Sequence, residues 1–296
     1  MTIPTEPLLG PEFLAKLEQL ELVSRKMLLG RFKGDRLSKR KGTSVEFADH
    51  RHYAVGDDLR FLDWNLYARL DRLFIKLFQE EEDLRLHILL DNSGSMNFGT
   101  PTKLRYAKCV AAALGFVGLA NLNRVSVGTV GARFDTGLPA LRGRRSLWRL
   151  LSYLEQLETF GAGDLSAAVR AFALRAPSGG IVVLLSDLLD KGGFEEPLRY
   201  LLARQMEVYV IQILAREEVE PELVGDLRLV DAEDADVAEV TLSAALIQRY
   251  KRNLDAFRGA VNSFCMRRGI QFLSTTNQAP FDRLVLTYLR RRGLVR

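Results

Sequence analysis

Cysteine, tryptophan and histidine are scarce in this 296-residue chain, which has two, two and three of them. Cys109 and Cys265 lie far apart, each inside an apolar, helix-like stretch. That excludes a disulfide framework and a paired-thiol zinc site, and it suits small buried side chains in a reducing compartment. His50 and His52 fall in a charged segment and His87 in an apolar run, with no Cys/His cluster near any of them, so buried or ion-paired imidazoles are the plain reading. Long apolar runs are also missing. The longest, Val110 to Ala120, is too short to cross a bilayer, and Met1 to Gly10 has no basic region followed by an apolar core, so a cytoplasmic protein without a membrane-spanning segment is expected.

Two further absences narrow the chemistry. Without a Gly-x-x-x-x-Gly-Lys-Ser/Thr loop or a Gly-x-Ser-x-Gly elbow, nucleotide hydrolysis and the common serine-hydrolase route lose their best signals. The formal net charge is +5, spread over a long chain. It is a weak argument for nucleic acid, and the basic runs Arg31 to Lys41 and Arg290-Arg291-Arg292 read as solvated faces.

What the chain has in quantity is apolar surface, 47% of its residues, enough for one large core or two modest ones. Pro11 to Leu29 shows helical spacing, and Ser44 to Phe47 and Leu73 to Phe78 read as strands around a segment, Asp49 to Arg72, dense in charges and aromatics. From Arg85 the pattern changes. Short apolar strands at Leu86 to Leu90, Arg124 to Val130, Ile181 to Leu185, Val208 to Leu214 and Ile270 to Ser274 alternate with helices. Those helices fall at Lys103 to Leu122, near Arg145 to Leu157, and at Leu165 to Arg175, Glu195 to Arg204 and Ala244 to Arg268. Strands apolar on both faces predict an α/β fold, a doubly wound, mostly parallel sheet, preceded by a helical and β extension. The domain boundary is placed between residues 84 and 85.

In such a sheet, ligands sit beyond the carboxyl ends of the strands, where the strand order reverses. The first strand ends in Asp91-Asn92-Ser93-Gly94-Ser95. A carboxylate followed by hydroxyls two and four residues on can turn three oxygens toward one point. A hard cation such as Mg²⁺ keeps several waters and needs only a few protein oxygens. Asp187, in Ser186-Asp187 after the strand Ile181 to Leu185, adds a second carboxylate at the same edge. The alternative is that Asp91, Ser93 and Ser95 simply turn and cap the chain into the next helix.

Asp91-x-Ser93-x-Ser95 with the later Ser186-Asp187 resembles the metal-ion-dependent adhesion site of von Willebrand factor A domains, over roughly residues 85 to 275. The family pattern also has a threonine in a Gly-Gly-Thr-Asp/Asn-Leu loop, where this chain reads Gly161-Ala162-Gly163-Asp164-Leu165. Glycine stands at the threonine position, which implies a weakened or water-completed site with Asp164 as a possible water-mediated member. The earlier block is a second signature. It runs Glu46-Phe47-Ala48-Asp49-His50-Arg51-x-Tyr53, Gly56-Asp57-Asp58-Leu59-Arg60, Asp63-Trp64-Asn65-x-x-Ala68-Arg69 and Lys76-x-Phe78, and it resembles the DUF58 proteins, in which it precedes a von Willebrand A-like domain.

The resemblance implies an adaptor or assembly factor that binds proteins rather than catalyses. It would use Mg²⁺ or Mn²⁺ at Asp91, Ser93, Ser95 and Asp187, and work beside a MoxR-type AAA+ ATPase. Arg51, Asp57, Asp58, Arg60, Asp63, Trp64 and Arg69 form either a structural ion-pair lattice or a partner surface. Two other readings stay open: a metal-dependent hydrolase built on Asp57, Asp58, Asp63 and Arg60, and a scaffold whose metal site is vestigial.

Overall fold

Strands that are apolar on both faces need helices on both sides, and the computed structural model has this layering. It describes residues 7–20, 45–80, 84–131, 134–221, 225–230, 237–290 and 294–295. The basic stretch Arg31 to Lys41, the continuation of the first helix beyond Leu20, and Arg291 and Arg292 of the tail lie outside them. Contacts divide the chain into two units, Lys33–Asp83 and a larger one made of Met1–Phe32 with Leu84–Arg296. Helix α1 (Pro11–Leu17) belongs to the larger unit. Its Phe13 and Leu17 are buried in that unit's core, and Asn121 Nδ2 donates to Leu20 O at 2.8 Å just beyond it.

The smaller unit is a hairpin with an elaborated connection. Strand β1 (Val45–His52) pairs antiparallel with β2 (Phe74–Glu80), with Arg51 opposite Ile75 and a register shift between Phe47 and Asp49. The strand signal at Ser44 to Phe47 thus runs on to His52. Between the strands lie a short 3-10 turn, Leu59–Phe61, and helix α2 (Trp64–Leu70). Asp63 starts α2 by accepting the backbone N–H groups of Asn65 and Leu66 at 3.0 and 3.1 Å, the usual role of a capping aspartate.

In the larger unit the elements follow the expected alternation. They are β3 (Arg85–Leu90), α3 (Lys103–Ala120), β4 (Arg124–Val130), β5 (Phe134–Leu141), α4 (Leu147–Gln156), α5 (Leu165–Arg175), β6 (Ile181–Ser186), α6 (Glu195–Ala203) and β7 (Glu207–Leu214). A single turn, α7 (Arg216–Val219), the strands β8 (Gly225–Val230) and β9 (Val237–Leu242), helix α8 (Ala244–Arg267) and β10 (Gln271–Thr276) complete it. The main sheet runs β10-β7-β6-β3-β4-β5, parallel except for β5. This is the doubly wound, mostly parallel sheet of the von Willebrand A resemblance. The antiparallel edge strand β5 and the β8–β9 hairpin escape the sequence reading, because short strands carry little periodicity.

Side-chain alternation splits the core in two. Leu86, Ile88 and Leu90 of β3 face α1, α3 and α4, where Leu150 and Leu154 are fully covered. Leu89 belongs to the opposite core, with Val169 and Phe172 of α5, Leu198 and Leu201 of α6, and Val261 and Phe264 of α8. Among the described residues no helix is long and apolar enough to cross a membrane.

One polar side chain interrupts β3. His87 lies opposite Ser126 in β4, with Nδ1 2.7 Å from the Ser126 hydroxyl, and its ring meets Phe172 edge-on with centroids 5.4 Å apart. Burial, helped by the Arg85 charge, lowers its pKa from 6.5 to about 4. The unfolded ring therefore takes up a proton before the native ring does. Stability from the neutral ring is fully present above pH 6.5 and falls as the pH drops toward 4. His87→Gln has no such proton. Its stability relative to wild type is expected to improve by roughly 2–3 kcal/mol between about pH 7.5 and about pH 4.5 in urea titrations. A difference that stays flat with pH would mean that the native ring is not held neutral.

Candidate functional site

The strand order reverses between β3 and β6. From β3 the chain crosses to β4 on one side, and β6 returns on the other. Leu90 pairs with Leu185, and Asp91 N donates to Leu185 O at 2.8 Å, so Asp91 and Ser186-Asp187 leave adjacent strand ends at the switch point. Asp91, Ser93, Ser186 and Asp187 are all buried.

Their hydrogen bonds form one connected set. Asp91 Oδ1 accepts Ser93 N at 3.0 Å, and Oδ2 accepts the Ser186 hydroxyl at 2.6 Å. Ser95 donates its hydroxyl to Asp187 Oδ2 at 2.8 Å and lies 3.1 Å from the Ser93 hydroxyl. Asp187 Oδ1 accepts Leu189 N at 3.0 Å, and Gln212 Nε2 reaches the Asp187 carbonyl at 3.0 Å. Burial, reinforced by the Asp187 charge, raises the Asp91 carboxyl to about 7, while hydrogen bonds from Ser186 and Ser93 pull the other way. Asp91, Ser93, Ser95 and Asp187 are therefore brought together as their spacing predicts.

The glycine substituted for threonine is also at this point. A Cβ on Gly163 would lie 3.1 Å from Ser93 Cβ, so any side chain there would crowd the serine. Asp164 turns elsewhere. Its Oδ1 accepts Ala167 N at 2.8 Å as the cap of α5. Asp190 takes its place in the wall, with Oδ2 accepting Leu165 N at 2.9 Å and Oδ1 accepting Gly192 N at 2.6 Å. A void of about 10 Å³ lies among Asp91, Ser93, Gly131, Gly163, Asp187 and Asp190.

Lys103, the first residue of α3, adds a charge that motif spacing does not signal. Its side chain is 0% exposed, and its ammonium lies 2.8 Å from Asp187 Oδ2 and 2.6 Å from Glu218 Oε1. Burial works against the charge, but Asp187 and Glu218 override it and leave the pKa raised. Glu218 is held in its own turn, where Oε2 accepts Ala215 N at 2.7 Å, and Tyr250 of α8 donates its hydroxyl to the Glu218 carbonyl at 2.8 Å. A lysine at a helix N-terminus opposes the helix dipole, and this was the one available sequence sign that it needed acidic partners.

Among the described residues no three His, Cys, Asp or Glu side chains gather as a metal-holding group. The void is nevertheless lined by Asp91, Ser93, Asp187 and Asp190 together with Val130 and Leu165, and is the size of a single water. Asp187 and Glu218 also place two carboxyls against one ammonium, beside the Asp91 carboxyl's own cluster of serine hydrogen bonds. That donor set suits a hard divalent ion with few protein ligands and several waters.

The loop leading from the site to α3 is pinned from the far edge of the sheet. Asn277, just after β10, donates from Nδ2 to Pro101 O at 2.5 Å and accepts Arg216 N on Oδ1 at 3.1 Å. Gly99, at φ 87°, packs so closely on this amide that a Cβ there would overlap it.

In the smaller unit the charged residues form separate pairings. Arg51 grips Asp57 with contacts of 2.6 and 2.8 Å, Arg60 grips its near neighbour Asp58, and Asp63 meets His50 at 2.9 Å and Lys76 at 3.5 Å. The side-chain hydrogen bonds of Arg60 and His50 bring Asp58 and Asp63 to about 2, and the Arg51 hydrogen bond lowers Asp57. Trp64, 64% exposed, stacks edge-on against Tyr67, with Arg69 in the last turn of the same helix.

A family model described as a protein of unknown function, DUF58, matches residues 49–259. An uncharacterized protein of Mycobacterium tuberculosis is 30% identical over 290 residues, covering 96% of this chain and 91% of that protein. Among solved structures, the conserved hypothetical protein BatB from Bacteroides thetaiotaomicron is 16% identical with a TM-score of 0.41, over 70% of this chain and 98% of that one. An aerotolerance-related membrane protein from Bacteroides fragilis is 17% identical with a TM-score of 0.43, over 70% and 99%.

The Ser186 hydroxyl serves two buried partners, donating to Asp91 Oδ2 and accepting Leu188 N at 2.9 Å. Ser186→Ala leaves both without their partner and is expected to cost about 2–3 kcal/mol, read as a lower urea midpoint at unchanged slope. A loss below about 0.5 kcal/mol would show that Asp91 does not depend on this hydroxyl.

Proposed function

Because the chain belongs to the DUF58 family, and carries its polar cluster at the switch point of a doubly wound sheet, we propose that it is a non-catalytic adaptor or assembly factor. It would bind a protein partner through that edge. The observation that carries this reading is that Asp91, Ser93 and Asp187 line one small void while the Ser95 hydroxyl hydrogen-bonds to both Ser93 and Asp187. Asp91, Ser93, Ser95 and Asp187 would hold Mg²⁺ or Mn²⁺, with a water in place of the threonine hydroxyl that Gly163 lacks. A divalent ion bound there supplies an open coordination position to which an acidic side chain of the partner can bind.

The surroundings support a docking role. A groove of about 630 Å³, lined among others by Asn97, Thr102, Arg105, Lys108, Glu155 and Glu158, opens beside the site loop. Asn92 ties that loop to the groove wall through Glu158 O at 3.4 Å. Charges of both signs in the groove suit a polar peptide segment better than a nucleic acid backbone. The partner implied by the family resemblance is a MoxR-type AAA+ ATPase. The Arg51, Asp57, Asp58, Arg60, Asp63, Trp64 and Arg69 face of the smaller unit is a second candidate contact, with exposed Trp64 as its anchor.

The hydrolase reading has less support. Asp57 and Asp58 are tied to arginines and Asp63 to His50 and helix-cap N–H groups, so none has the raised pKa of a general acid at neutral pH.

Calorimetric titration of Mg²⁺ and Mn²⁺ into chelator-treated protein, followed by co-elution with a MoxR-type ATPase with and without the ion, tests the adaptor reading. Wild type is expected to bind the ion saturably and to retain the ATPase only in its presence. Asp91→Ala should lose both while keeping the wild-type circular dichroism spectrum. Equal, ion-dependent retention of the partner by Asp91→Ala would remove the site from the interaction.

A further inference from the structure

The position from which a divalent ion would draw on Asp187 already has a cation beside it. Asp187 Oδ2 is shared by the Ser95 hydroxyl and the Lys103 ammonium, each at 2.8 Å. This ammonium is not a surface lysine that has swung in. Lys103 begins α3, its backbone N–H is fixed to Phe98 O at 3.1 Å, its side chain is fully covered, and its other acidic partner, Glu218, is anchored in the α7 turn. A buried ammonium needs such partners, because leaving water costs it several kcal/mol.

Resting on the reading of the site given above, we propose that Lys103 is a resident counter-cation that competes with a divalent ion for Asp187. In this arrangement Lys103, rather than the missing threonine hydroxyl at position 163, sets how weakly the free protein holds the ion. The arrangement has two states, which differ by the two charges that the ion brings. Without the ion, Lys103 bridges Asp187 and Glu218. With the ion, Asp187 turns to it and Lys103 keeps Glu218 alone, which that glutamate's own turn is built to present. Like charges a few ångströms apart in a low-dielectric pocket repel strongly, so the ammonium lowers ion affinity by proximity alone. The competing explanation, that Gly163 disables the site, makes the opposite prediction for substitutions at the two positions.

Mn²⁺ binding to the full chain, followed by the loss of the free-ion electron paramagnetic resonance signal and by the thermal midpoint, separates these. Lys103→Met is expected to bind Mn²⁺ about tenfold or more tighter than wild type, and Mn²⁺ should raise its midpoint more than it raises that of wild type. Gly163→Thr should leave affinity near wild type, since the side chain crowds Ser93 without removing the ammonium. Where Lys103→Met alone folds poorly, Lys103→Met with Glu218→Gln removes one unpaired acid and should show the same gain. Adding Asp91→Ala to either should abolish it.

If Lys103→Met binds no tighter than a wild type that does bind, the competition is overturned while the ion site stands. If Gly163→Thr, and not Lys103→Met, gains affinity, the loop sets the strength and the proposal is overturned. A gain that survives Asp91→Ala places the ion elsewhere and also overturns it. If none of the folded variants nor wild type binds Mn²⁺, the adaptor's ion site falls together with the proposal.

Discussion

Two acidic side chains stand at the buried ends of adjacent strands, and every other feature of the switch point answers the need to satisfy them. Water cannot solvate Asp91 or Asp187 from below, where Leu90 and Leu185 close the sheet. Donors must therefore come from the protein: Ser93 N and the Ser186 hydroxyl for Asp91, and Ser95, Leu189 N and Lys103 for Asp187. The turn geometry of the loop, the depth of the lysine and the anchoring of Glu218 are consequences of that requirement.

This explains which parts could be read from the sequence. Asp91, Ser93 and Ser95 are close neighbours in the chain, so a strand end followed by a turn brings their oxygens together whatever the rest of the fold does. Asp187 follows from the same logic at the end of β6, which lies next to β3 in the sheet. The alternation of apolar strands and helices was equally legible, because strands such as Ile181–Ser186 are buried along their whole length. Lys103, Glu218 and Asp190 were not, for they reach the site across separations of 84 and 115 residues, or through a loop, without local periodicity. Asp164 shows the limit of motif spacing. Its carboxylate is committed to capping the start of α5, and Asp190 lines the void instead.

The smaller unit follows a different rule. Its acids are paired over short sequence distances, Arg51 with Asp57 and Arg60 with Asp58, so each pair closes a local turn of the connection between β1 and β2. Pairs of this kind shape loops more than they add stability, since most of them face solvent. The aromatic and aliphatic side chains of α2 are left turned outward.

The grip of Asn277 on the loop before α3 has a consequence for biosynthesis. Its amide bridges 176 residues of chain to reach Pro101, and it also holds the backbone of Arg216 beside the turn that presents Glu218. A nascent chain emerging from the ribosome can pair β3 with β4 early, but it cannot lock the loop until translation has passed Asn277 and β10 has joined β7. The polar cluster is therefore among the last parts of the molecule to take shape, so a chain halted partway would expose the acids without the frame that organises them.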